Sequence, residues 1–131
     1  MKTILVVEDS KMIRTAIEKD LTRAGYRVIT ATDGERGLRS ARELRPDLIL
    51  LDMLLPKMTG LDVLEAIKAD KLFHDVPVVV LTGLSKGNAD RLKRSGAAAF
   101  FEKSDKSFQE GSRELICLIE NVMNNGNSGK A

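Results

Sequence analysis

The chain reads as an α/β protein, a parallel β-sheet with helices packed on both faces. Three observations predict this. Short apolar runs of strand length alternate with amphipathic stretches of helix length, five of each, between residues 3 and 123. Two of the runs, residues 48–52 (Leu-Ile-Leu-Leu-Asp) and 76–81 (Val-Pro-Val-Val-Val-Leu), are apolar almost throughout, as strands are when both faces are buried. Helix stops and turn formers stand between the runs, at Gly25, Asp33-Gly34, Pro46, Gly60 and Gly96. Strand order is not contained in the alternation.

The first strand is Thr3–Val7, β-branched and apolar, and it gives way abruptly to Glu8-Asp9-Ser10. Ser10 or Asp9 caps a helix that runs to about residue 24, with Ile13, Ala16, Ile17 and Leu21 on one face and Gly25 as its stop. Residues 26–31 form the second strand, Asp33-Gly34 a turn, and residues 35–44 the second helix, with Leu38 and Ala41 facing inward. Arg45-Pro46-Asp47 ends that helix and leads into the third strand, 48–52. After a loop over 56–60, a third helix runs from about 61 toward 72, with Val63, Leu64 and Ile67 on its apolar face. His74-Asp75 turns into the fourth strand, 76–81, where Pro77 is tolerated at the start; the strand ends on Thr82-Gly83. A weakly apolar fourth helix spans 85–95, and the fifth strand, 97–101, ends on Glu102-Lys103. The fifth helix, 108–123, places Leu115, Leu118, Ile119 and Val122 on one face, with Cys117 among its apolar positions. Residues 124–131 are rich in Gly and Asn and read as a polar flexible tail, so the expected organisation is one domain over 1–123 and a tail over 124–131.

At 131 residues the chain is long enough for a single domain with a sizeable core. Its 21 Lys and Arg against 19 Asp and Glu leave a net charge of +2, too balanced to argue for nucleic acid or a membrane surface. One cysteine, Cys117, excludes an internal disulfide, and no Cys/His cluster has metal-ligand spacing. Met1-Lys2-Thr3 runs into a strand without a signal-peptide layout, and no apolar run approaches membrane-spanning length. The expectation is a cytoplasmic protein that inserts in no membrane and binds no nucleic acid directly.

In a parallel sheet all strand carboxyl ends share one edge, where open α/β sheets bind their ligands. Four of the five predicted strands deliver a reactive group there: Glu8 and Asp9, Asp52, Thr82, and Lys103. Alone, Asp52 is as well explained as a loop cap. Three carboxylates crowded on one edge are not, because like charges repel. A hard divalent cation such as Mg²⁺ takes carboxylate and carbonyl oxygens while keeping waters, and so resolves the repulsion. It also screens a carboxylate from an incoming phosphoryl group, and Asp is an established phosphoryl acceptor. Lys103 and Thr82 would then contact the phosphoryl oxygens, by charge and by a hydroxyl donor.

Glu8-Asp9-Ser10, Asp52 followed by Leu55-Pro56 and Gly60, Thr82-Gly83, and Lys103 together resemble the receiver domain of two-component response regulators, over about residues 3–123. The resemblance implies a flavodoxin-like (βα)5 fold with sheet order 2-1-3-4-5, for which a chemotaxis receiver is a general example. It implies a phosphorelay switch in which Asp52 accepts a phosphoryl group from a histidine kinase or phosphotransfer protein and becomes an aspartyl phosphate. It implies Mg²⁺ bound by Asp9 directly, by Glu8 mainly through water, by Asp52 and by the backbone carbonyl of Leu54. Thr82 would follow the phosphoryl group and Phe100 holds the aromatic switch position. The two would reshape the surface of the fourth predicted helix, fifth strand and fifth predicted helix, where a downstream effector binds. The protein is then a signalling protein and not an enzyme beyond its own phosphorylation and dephosphorylation. The chain stops soon after the fifth predicted helix, which points to a stand-alone receiver acting through another protein; the alternative is a receiver excised from a longer one.

Two features depart from the family pattern: the switch position holds Phe100 where tyrosine is usual, which removes a hydroxyl, and the residue after Lys103 is changed. Lys103 is followed by Ser104 where the family usually has proline, commonly cis, and a cis bond before a non-proline residue costs roughly 3–4 kcal/mol. A degenerate receiver that binds partners without phosphorylation is therefore a second reading. A Mg²⁺-dependent phosphotransferase or phosphatase is a third; such enzymes need an acid two residues after the nucleophile, and that position is Leu54. Leu54 and Leu84 also flank the site in the family's geometry, and two leucines there exclude attacking water, so a slowly hydrolysing aspartyl phosphate is expected. Leu84→Glu is expected to hasten phosphoryl loss, followed by intact-protein mass against time; an unchanged rate would count against this gating.

Overall fold

The computed structural model describes residues 1–82, 93–102 and 113–128, the last four of these by backbone alone. Its elements are β1 (Thr3–Val7), α1 (Lys11–Arg23), β2 (Arg27–Ala31), α2 (Gly34–Leu44), β3 (Leu48–Asp52), α3 (Gly60–Ala69), β4 (Val78–Thr82), β5 (Ala99–Glu102) and α4 (Arg113–Ser128). The five strands form one sheet in the order β2-β1-β3-β4-β5, with every pairing parallel. Both the fold class and the strand order expected from the sequence are therefore present.

Successive strand residues point to opposite faces, and the core splits accordingly. Leu5, Val7, Ile49, Leu51, Val78 and Val80 pack with Leu38 and Ala41 of α2 and with Val63, Leu64 and Ile67 of α3. Ile4, Val6, Leu48, Leu50, Val79 and Leu81 pack with Ile17 and Leu21 of α1 and with Leu115 and Ile119 of α4. All of β3 and all of β4 are buried, which is why those two runs lack polar alternation. The start of β3 is tied to β1 by a reciprocal pair, Asp47 N–H to the Thr3 carbonyl at 2.8 Å and Thr3 N–H to Asp47 Oδ2 at 2.7 Å.

Several boundaries differ from the sequence reading, each for a local reason. β4 starts at Val78, because Pro77 has no N–H and joins the ladder only through its carbonyl, which accepts from Ile49 N–H at 3.0 Å. α3 stops at Ala69: Asp70 turns extended and its Oδ1 accepts from Leu72 N–H at 2.9 Å, leaving Leu72 exposed while Phe73 folds into the core. α4 continues to Ser128, past the expected boundary at 123, as an established helix can propagate one hydrogen bond per residue beyond its last buried side chain. Cys117 is exposed and does not pack: it lies off the face that carries Leu115 and Ile119. Of the helix expected over 85–95, residues 85–92 lie outside the described residues, as do Gly83, Leu84 and residues 103–112; Lys93 and Arg94 are helical.

Lys68 braces the end of the sheet opposite the acids. Its ammonium donates to the His74 carbonyl at 2.9 Å and the Val76 carbonyl at 3.1 Å. Its methylenes lie against Gly96, where a β-carbon would come within 2.8 Å of Lys68 Cγ and where φ is +106°. Burial holds the Lys68 pKa below its ordinary 10.5, partly opposed by Asp75. The folded state therefore binds fewer protons than the unfolded state in the window below 10.5. This contribution is complete above 10.5 and lost as pH falls through the lowered value. The neutral amine keeps two N–H donors, enough for both carbonyls. Urea unfolding of the wild type beside Lys68→Met is expected to show the wild type's margin growing as pH rises toward 10.5; a margin independent of pH would contradict it.

Candidate functional site

The carboxyl edge of the sheet carries the acids. Glu8 directly follows β1, fully buried, with its N–H continuing the ladder to the Ala31 carbonyl at 3.0 Å. Asp9, the next residue, is exposed. Asp52 is the last residue of β3 and only 2% exposed; Thr82 is the last residue of β4 and buried. Glu8, Asp9 and Asp52 each offer a carboxylate oxygen, and the three oxygens lie within 4.8 Å of one another. Three of the residues singled out in the sequence thus meet at one point, with Thr82 at the end of the adjoining strand. Thr82 pairs in register with Glu102, the residue before Lys103; Lys103 itself lies outside the described residues.

Buried carboxylates need donors, and two come from the chain just ahead. Ser10 N–H donates to Glu8 Oε2 at 3.1 Å, and Leu54 N–H donates to Asp52 Oδ1 at 3.2 Å. Bonds of this charge-assisted kind fix the carboxylate planes. Ser10 also caps α1, its Oγ accepting from Ile13 N–H at 3.4 Å. The donor set suits a hard cation. Two oxygens on one Mg²⁺ lie at most ~4.2 Å apart, given bonds of about 2.1 Å, so oxygens within 4.8 Å converge after small side-chain rotations. With two of the three acids out of water, a divalent charge would relieve their repulsion.

The loop after Asp52 is held from three sides. Gly60 N–H closes it onto the Met53 carbonyl at 3.0 Å. A β-carbon at Gly60 would strike the Asp52 carbonyl oxygen and come within 2.6 Å of Met53 Cα, so only glycine lets α3 approach so closely. Thr59 and Asp62 form a capping box at the start of α3. Lys57 has φ +70°, and Met58 N–H bonds back to the Pro56 carbonyl at 2.8 Å, a tight and strained three-residue turn. Met58 sits against Gly34, where a β-carbon would be 2.8 Å from Met58 Cβ. Lys57 Nζ lies 3.9 Å from Asp33 Oδ2, and the buried Asp33 also caps α2 through Arg36 N–H at 2.8 Å.

Phe100 lies apart from the acids. It pairs with Val80 in mid-strand, packs against the core face shared with α2 and α3, and has Lys93 Nζ 5.6 Å from its ring centroid. Leu54 is 70% exposed at the rim; Leu84 lies outside the described residues. Two contributors were not read from the sequence. Asp33 reads as a turn residue in the sequence, although its place after β2 puts a fourth acid on the same edge. Arg14 of α1 donates to the carbonyls of both Glu8 and Asp9; its one signal in the sequence is a cation one turn after the cap.

A parallel 2-1-3-4-5 sheet with an acidic triad at its carboxyl edge defines an α/β receiver. Residues 4–109 match the response regulator receiver domain, and the chain belongs to that family, the receiver domains of two-component signalling. It is 48% identical over 82 residues to the transcriptional regulatory protein AfsQ1 of Streptomyces coelicolor, covering 63% of this chain but 35% of that protein, so it spans about a third of that regulator's length. It is 34% identical over 103 residues to the polar-differentiation response regulator DivK of Brucella anthropi, covering 78% of this chain and 84% of that one. Among solved structures it resembles the receiver domain of a sensor histidine kinase of Pseudomonas aeruginosa, with a TM-score of 0.81, 30% identity, and coverage of 94% and 98%. That receiver was crystallised with a magnesium ion coordinated in its active-site cleft. No helix among the described residues is long and apolar enough to cross a membrane.

Gly60→Ala is expected to destabilise the fold by about 1–3 kcal/mol or more, because the new methyl meets backbone that cannot yield. The expected signature is a lowered thermal midpoint together with weakened Mg²⁺ binding, since the displaced backbone is that of Asp52. Wild-type values for both would show the close approach to be unnecessary.

Proposed function

We propose that this receiver is a phosphorylation-controlled switch whose acceptor is Asp52. The observation that carries this reading is the burial of Asp52 beside Glu8 and Asp9, with carboxylate oxygens within 4.8 Å of one another. A carboxylate oxygen of Asp52 attacks the phosphorus of a phosphohistidine on a histidine kinase or phosphotransfer protein. The new O–P bond forms as the P–N bond breaks, and the electron pair returns to the imidazole. Asp9 and Asp52, the Leu54 carbonyl, and Glu8 through water would hold Mg²⁺, which when bound neutralises charge on the incoming phosphoryl oxygens. The Leu54 N–H to Asp52 bond sets the orientation of the acceptor before the donor arrives.

Thr82 and Lys103 contact the transferred group, the first by its hydroxyl and the second by charge. Their engagement, with repacking of Phe100, alters the surface made by residues 85–95, β5 and α4, through which a downstream effector is controlled. The receiver unit covers residues 1–123 and works in the cytoplasm. Leu54 stands where a hydrolase needs a proton donor to its leaving group, which supports a switch over a multiple-turnover enzyme.

Intact-protein mass after incubation with Mg²⁺ and a small phosphodonor such as phosphoramidate tests the reading. One added phosphoryl group is expected, dependent on Mg²⁺ and absent in Asp52→Asn. No adduct on a wild type that still binds Mg²⁺ would turn the reading toward a phosphorylation-independent interaction module, with the Lys103-Ser104 loop as the place to look.

A further inference from the structure

We infer that Arg14 is a positioning residue for the acidic cluster, holding the main chain of Glu8 and Asp9 so that both carboxylates face the divalent cation. The inference rests on the metal reading of the site given above. Its observation is a pair of hydrogen bonds from one atom: Arg14 Nη1 donates to the Glu8 carbonyl at 3.0 Å and to the Asp9 carbonyl at 3.3 Å. A half-buried arginine that reaches two of the three acids would ordinarily pair with a carboxylate. Among the described residues Arg14 makes no ion pair, and it grips the backbone instead.

That choice has a structural reason. Glu8 N–H still belongs to the sheet, bonding to Ala31, but β1 ends at Val7 and the chain then turns into α1. The Glu8 and Asp9 carbonyls lie in this turn, beyond the regular ladder. Ser10 N–H is taken by the Glu8 carboxylate and the Ser10 carbonyl by Arg14 N–H at 2.9 Å. Arg14 thus receives the turn at its backbone nitrogen and clasps it with its side chain, one helical turn beyond the cap. Because Glu8 and Asp9 are consecutive and point differently, buried and exposed, their convergence on one ion is set by the peptide between them. The Glu8 carbonyl held by Arg14 belongs to that peptide, and the Asp9 carbonyl to the one that follows it. Groups that orient metal ligands through hydrogen bonds typically change affinity by roughly 10–100-fold when removed.

Charge and position predict opposite signs, so the role can be measured. Removing a cation from beside the acids should tighten Mg²⁺ binding if Arg14 acts only through its charge. If it acts through position, binding weakens. Calorimetric Mg²⁺ titration of Arg14→Met is expected to show affinity lowered roughly tenfold or more, with the metal-free thermal midpoint read alongside to establish folding. Arg14→Lys keeps the charge on a shorter stem and is expected to bind more weakly than wild type, by less than the Met variant. Equal or tighter binding by Arg14→Met overturns the inference. Should that variant not fold, unchanged affinity in Arg14→Lys overturns it and weakened affinity supports it. A folded wild type that binds no Mg²⁺ overturns the metal reading itself, and this inference with it.

Discussion

Asp52 ends a strand that is out of water along its whole length, and stabilising a carboxylate there is the demand the rest of the molecule answers. An ionised group moved into a protein interior loses several kcal/mol of hydration unless donors or opposite charge replace the water. Here the first replacement is local, the Leu54 N–H. The neighbouring strand brings two more acids instead of a base, which deepens the demand and makes the edge a place for a cation.

Holding Asp52 in place reaches well beyond β3. Gly60 lets α3 press on Asp52's own carbonyl, and Thr59 with Asp62 fixes where that helix begins. The strained turn at Lys57 rests on α2, through Met58 against Gly34 and through the ammonium facing Asp33. A non-glycine residue at positive φ persists when its surroundings over-determine it, and these two contacts do so here. The loop after Asp52 is therefore continuous with the start of α2, and two arginines of that helix face acids: Arg36 lies 3.6 Å from Asp33 and Arg42 3.9 Å from Asp70.

Much of this was legible in the residues. The unbroken apolar runs of β3 and β4 announced strands buried on two faces, and the polar residue closing each run marked the edge where the acids gather. Strand order came only through the family resemblance, since local patterning carries no information about which strands become neighbours. Ser10 as a cap was readable because its hydroxyl chemistry is local. Arg14 was not, because its partners are backbone carbonyls whose need for a donor appears only once the strand has stopped and the chain has turned. Cys117 misled because an apolar side chain in an apolar stretch does not reveal which side of the helix it occupies. The end of α3 moved because Asp70 bonds to Leu72, a competition between side chain and helix that composition does not rank.

The parallel order has a consequence for how the protein is made. β1 leaves the ribosome first yet lies at the middle of the sheet's β2-β1-β3 half, and both its partners are synthesised later. Each parallel pairing waits for a complete crossover helix, so no strand can be paired by a short hairpin as it emerges. Glu8 and Asp9 are thus present from the start but meet Asp52 only when β3 has docked beside β1, with the Asp47 and Thr3 pair closing the far end. Until β2 and β3 dock, β1 is an apolar strand with two open sides, an arrangement prone to wrong pairing.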